Sequence, residues 1–206
     1  GRYGAGGGET SQCTGDCAAG RYALASTAAG PSAADCIACN AGKYLVTQGN
    51  DEPTDCIDCA LGKYVAVSGS DAASDCIDCA AGKYSTAVAS SAGSDCIDCP
   101  AGLYVAVTGS DALADCIACA PGRYVDTTGS TDVSACIDCA MGRWVGTSGS
   151  AAVTDCIDCG VGRYSTTSGA NSADYCIDCV VGKYASTAVN DELSDCIDCA
   201  AGTYVD

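Results

Sequence analysis

Hydrophobic and polar positions recur along the chain every twenty residues, and each period reads approximately D-C-I-D-C-A-A-G-K-Y-V-A-V-T-G-S-D-A-A-S. The tyrosine opens a short apolar run, as in Tyr64-Val65-Ala66-Val67, and a turn cluster such as Ser68-Gly69-Ser70-Asp71 follows before the chain returns to the next cysteine pair. Tyrosine and valine suit a pleated, half-buried surface, so each period predicts two short strands joined as a hairpin. Glycine and turn residues are too dense for helix. The expected architecture is a small disulfide-rich all-β fold, in which tandem 20-residue β-hairpin or loop repeats stack into an elongated rod or solenoid. Residues 1–35 form irregular first repeats, 36–199 the regular cysteine-rich repeats and 200–206 the start of an incomplete one.

The constant features of the period are few. Isoleucine follows the first cysteine in all nine regular pairs, from Ile37 to Ile197, and glycine stands three places beyond every second cysteine. That glycine either supplies a positive φ or lets another segment approach where a Cβ would clash, and the sequence leaves both readings open. Each unit offers for burial one tyrosine, one isoleucine and two valines, too little for a unit to fold alone. A bridge closing a loop of about 15 residues adds roughly 3 kcal/mol in the chain-entropy model, so reduction is expected to unfold the protein.

Composition changes the picture in one respect. The 206 residues include 20 cysteines, no histidine and no phenylalanine, and much of the 48% apolar content is alanine and cysteine. Cysteine at that density marks a disulfide scaffold. The C-x2-C pairs, sixteen residues apart, also match tetrahedral zinc spacing. Against zinc stand the absence of histidine and of basic partners, the aspartates flanking the cysteines, and the scarcity of large apolar residues, which is typical of small modules in oxidising compartments. The reading is therefore disulfide, with a tandem zinc-binding array as an alternative.

Nine basic residues against 26 acidic ones give a net charge of −17, which disfavours nucleic acid and anionic membranes. No run of about 18 apolar residues is present, so no membrane insertion is expected in this segment. An active site needs unlike residues at one place, whereas here nearly every distinctive residue is repeated, and Met141, Trp144 and Tyr175 are mild substitutions in the frame. No catalytic constellation is found, and the protein is read as no enzyme.

Aspartate precedes the first cysteine in most units (Asp55, Asp75, Asp95) and often sits between the two (Asp58, Asp78, Asp98). Calcium is the candidate ligand for such carboxylates, and turn capping with solvation is the favoured reading, so no cofactor or metal site is assigned. Basic residues before the tyrosine, such as Lys63 and Arg143, are expected to pair with a neighbouring unit's aspartate. The tyrosines, with Trp144 in the same slot, are expected to lay a ring over the disulfide or the adjoining unit, and carbohydrate binding by them is the lesser alternative. Thr147, Ser148, Ser150, Thr166, Thr167 and Ser168 at loop tips are candidate O-glycan acceptors in an extracellular chain.

The run Cys59-Ala60-Leu61-Gly62-Lys63-Tyr64, followed by eleven residues and Cys76, resembles the C-x-x-G-x-Y opening of tumour-necrosis-factor-receptor and ephrin-receptor-like cysteine-rich repeats. That resemblance implies that each cysteine before G-x-Y is bridged to the next one after the loop: Cys17–Cys36, Cys39–Cys56, Cys59–Cys76, Cys79–Cys96, Cys99–Cys116, Cys119–Cys136, Cys139–Cys156, Cys159–Cys176 and Cys179–Cys196. Cys13 and Cys199 are left over, either because the array is longer or because they bridge successive chains head to tail. Similar arrays in protist surface proteins, flagellar hairs among them, imply an extracellular or cell-surface structural protein that forms or coats a filament or stalk, with itself as partner and glycans as a further one. A receptor or adhesin ectodomain stalk is the rival reading.

Overall fold

In the computed structural model, residues 2–4, 13–24 and 35–201 are described, and side chains from Asp16 onward. They fall into two compact units, one of Gly1–Ile97 with Val107–Asp115 and the other of Asp98–Ala106 with Cys116–Asp206. Every sheet is a two-stranded antiparallel hairpin, and no α-helix occurs among the described residues. The first hairpin, Arg2–Gly4 with Cys13–Asp16, carries a register shift, unlike those that follow. Of the incomplete repeat 200–206, residues 202–206 lie outside the described residues.

The strands are shorter than the apolar run predicts, and displaced from it. In the first unit Lys63–Tyr64 pairs with Ile77–Asp78, so the second strand is the dipeptide between the cysteines. Tyr64 faces Ile77 across the hairpin and Lys63 faces Asp78. Val65 leaves the hairpin: its amide donates to the Ser90 carbonyl of the next repeat, while its carbonyl accepts from Gly42 of the preceding one. Backbone pairing spent between repeats is unavailable within the hairpin, which limits each strand to two residues.

Burial departs further from expectation. Only the first valine of each apolar run is enclosed, as at Val65 and Val125, with Leu45 filling the same slot and Ser85 and Ser165 replacing it elsewhere. Val67 and Val107 are exposed, and every isoleucine from Ile37 to Ile197 is about half exposed, at 42–53%. In place of an apolar core, small clusters form around the sulfurs. Cys59, Val65 and Cys76 make one in the first unit, and Cys119, Val125 and Cys136 make one in the second.

A 3-10 turn, unforeseen in the sequence, precedes the first cysteine of each pair from Cys56 to Cys196, for example Ala73–Asp75 and Val153–Asp155. Asp75 Oδ2 accepts from the amides of Asp71 and Ala72 at 3.1 Å each, and Asp155 does the same with Ala151 and Ala152. The turn-capping reading of these aspartates therefore holds. Where alanine or tyrosine replaces the aspartate, another acceptor takes over: Asp132 accepts from the Ser134 amide, and the Ser172 hydroxyl from the Asp174 amide. Orphan amides at a turn start need an acceptor, and its position is negotiable.

The repeated glycine answers the question the sequence leaves open. Gly122 has φ +90°, and a Cβ there would collide with the Gly169 carbonyl oxygen, 47 residues further along. Both reasons apply at once, since the backbone is left-handed and a carbonyl from the repeat after next occupies the place of a side chain. Contacts within a unit thus reach two repeats ahead.

Candidate functional site

Among the described residues no singular site stands out, so the candidate functional element is the repeated one, built from a disulfide, the tyrosine that covers it and the ion pair beside it. The structure joins Cys17–Cys36, Cys39–Cys56, Cys59–Cys76, Cys79–Cys96, Cys99–Cys116, Cys119–Cys136, Cys139–Cys156, Cys159–Cys176 and Cys179–Cys196, with Cα–Cα separations of 5.4 to 5.9 Å. These are the pairs that the C-x-x-G-x-Y resemblance implies. The two cysteines of one C-x2-C belong to different bridges, so the thiolates a tetrahedral zinc site needs are spent on sulfur bonds. Cys199 is free and partly exposed. The side chain of Cys13 lies outside those described.

Tyr22, Tyr44, Tyr104 and Tyr124 each cover the bridge of the following repeat. Tyr44 packs on the cluster of Cys59 and Cys76, and in the second unit Tyr124 packs on that of Cys139 and Cys156. The two expected roles, ring over disulfide and contact with the adjoining unit, are one arrangement. The same residues carry parallel backbone bridges into the next loop, Tyr44 with Ser70 and Tyr124 with Ser150. Backbone hydrogen bonds and aromatic contact therefore couple consecutive repeats through one residue.

The ion pairs lie on the opposite side of the hairpin. Lys43 meets Asp58 at 2.7 Å, Lys63 meets Asp78, Arg143 meets Asp158 at 2.9 Å and Arg163 meets Asp178 at 2.7 Å. All are substantially exposed, so each contributes about 0 to 1 kcal/mol and sets register more than stability. In one hairpin the pair is exchanged whole: Leu103 stands opposite Ala118. A lone charge is avoided there.

Both carboxylate series therefore have local work, one on turn amides and the other on cations. Among the described residues no group of three or more cysteine and acidic side chains comes together as a metal site. The candidate glycan acceptors divide. Thr147, Ser148, Thr166, Thr167 and Ser168 are exposed. Ser150 is 5% exposed and directs its hydroxyl at the Thr147 carbonyl, so it is withdrawn as an acceptor. The sequence could not separate it from its neighbours because its inward turn follows from the backbone bridge to Tyr124 of the preceding repeat.

Residues 69–116 and 88–136 match the family model described as tyrosine-protein kinase ephrin type A/B receptor-like. The central repeats are thus similar to ephrin-receptor-like cysteine-rich modules. No curated protein matches the chain. The disulfide ladder extends the same module architecture through the described repeats on both sides of the matched segment. No helix among the described residues is long and apolar enough to cross a membrane.

Proposed function

We propose that this protein is an extracellular or cell-surface structural repeat protein that forms or coats a filament or stalk, and that it performs no catalysis. The observation that carries this reading is the coupling of one repeat to the next that recurs within each unit, through a covered disulfide, a tyrosine bridge and a left-handed glycine. That coupling resists bending and slippage along the chain, whereas recognition or chemistry would call for a unique place. Nine bridges hold the covalent geometry in an oxidising medium. The exposed Thr147, Ser148, Thr166, Thr167 and Ser168 suit glycan shielding against proteases. Cys199 is available for a bridge to another chain or segment.

A receptor or adhesin stalk is the second reading, favoured by the match to a receptor-like module. Electron microscopy of the purified protein, with intact mass before and after reduction, tests the proposal. Strands many times longer than one chain are expected from the oxidised protein and are lost on reduction. Compact particles that bind a soluble ligand one to one would overturn it.

A further inference from the structure

Four features of the repeat do not vary: two cysteines, the glycine and the isoleucine. The cysteines form the bridges and the glycine admits a foreign carbonyl. The isoleucine has no comparable duty, since its side chain is about half exposed in every copy, between 42% and 53%. Its cross-strand contact with the tyrosine, as Tyr124 with Ile137, would be served by valine or threonine for a difference of about 1 kcal/mol or less. Other exposed positions in this chain drift freely: Asn40, Ala60, Pro100, Gly160 and Val180 occupy one equivalent place. An exposed position held to one large aliphatic type nine times calls for a reason beyond the hairpin itself.

We propose that the isoleucines are a side-by-side docking surface for a second copy of this chain. The partner is identified by periodicity. A partner without repeats would touch one isoleucine and leave the others unconstrained, whereas a second copy brings the same interval and can engage all of them in one register. The contact extends the filament reading, on which it rests, by supplying lateral association.

The second unit shows the surface best. There Ile117, Ile137, Ile157, Ile177 and Ile197 are each about half exposed, and so are the aliphatics at the start of three 3-10 turns, Val133, Val153 and Leu193. Leu193 and Ile197 line a common depression with Val180. Eight half-exposed side chains on each of two copies remove on the order of 1,200 Å² from water, the lower end of a stable interface. Charge permits the approach although each chain carries −17, because the hairpin that presents Ile157 also carries the Arg143–Asp158 pair, which is neutral. The hairpin of Ile117 carries the uncharged Leu103 and Ala118 instead.

The test uses the full chain with Ile117, Ile137, Ile157, Ile177 and Ile197 each changed to threonine, which keeps β-branching in the strands. A control carries threonine at Val46, Val67, Val88 and Val107, which are equally exposed but lie outside the hairpins. Sedimentation equilibrium over a range of concentration and salt reads pairing, and intact mass counts the bridges. The wild type and the control should pair, more strongly at higher salt as repulsion is screened, and the isoleucine variant should pair about 100-fold more weakly. If that variant loses bridges, the pair I137T/I157T is read instead, with about a tenfold loss expected. A wild type that stays monomeric, or isoleucine variants that pair as the wild type does, overturns the proposal. Pairing that depends on the isoleucines without any long strands by microscopy upholds the docking surface and overturns the filament reading alone.

Discussion

Within the second unit the same glycine meets two different surroundings. At Gly102 and Gly122 a side chain would collide with the carbonyl of Gly149 or Gly169, whereas around Gly162 and Gly182 no described residue comes within 4 Å of the place a Cβ would take. All four have φ between +76° and +90°. No described residue stands 47 places on from Gly162 or Gly182. The positive φ thus belongs to the repeat's own turn, and the close approach belongs to the repeat after next. The bridges follow the same division: Cys119 and Cys139 are fully enclosed, while Cys159, Cys176 and Cys179 are partly exposed. One sequence motif therefore supports two levels of order, a local turn and a longer-range contact.

The comparison breaks most visibly under alanine. G122A should cost about 3 to 5 kcal/mol, the sum of left-handed strain and a backbone collision, and G162A about 1 to 2 kcal/mol from strain alone. Denaturant midpoints of the two variants with all bridges intact check this, and equal losses would show that the contact across two repeats contributes nothing. Under limiting reductant with alkylation and peptide mass analysis, Cys159–Cys176 should open about tenfold faster than Cys119–Cys136, since attack needs access to sulfur. Uniform opening of all bridges would mean that the cover is not protective.

Ala89 isolates the local contribution. It occupies, at φ 56°, the loop-tip place that Gly109, Gly129 and Gly149 fill elsewhere. A89G should stabilise the chain by about 1 kcal/mol, seen as a rise in the denaturant midpoint. The smallest effect concerns Asp132, whose bond from the Ser134 hydroxyl, then that from its amide, holds its carboxyl below the ordinary carboxylate value. A lowered folded pKa means that its contribution to stability is complete above that ordinary value and is lost as pH falls through the folded one. An NMR titration should place Asp132 below the ordinary carboxylate value, and an ordinary value would show that the bonds from Ser134 do not form in solution.

Much of the fold is legible in the sequence, and the reason is repetition. Cysteine pairs at a fixed interval announced a ladder, and turn residues between short apolar runs announced hairpins. The aspartates read correctly because their capping is local, within four residues. Val67 and the isoleucines misread because apolar character indicates only that burial would be favourable, while the number of residues that can be enclosed depends on neighbours. Ser150 was indistinguishable from Ser148 for the same reason: exposure is decided by the tyrosine bridge from the preceding repeat.

The sequence by itself determined the period, the hairpin in each repeat and the need for sulfur bonds, because these follow from residue type and from interactions a few positions apart. Tertiary structure alone decided which valine is enclosed, that the isoleucines stay at the surface, and that a glycine makes room for a carbonyl 47 residues away. Those outcomes depend on how successive repeats are set against one another, and steric exclusion between distant segments leaves no mark in local composition.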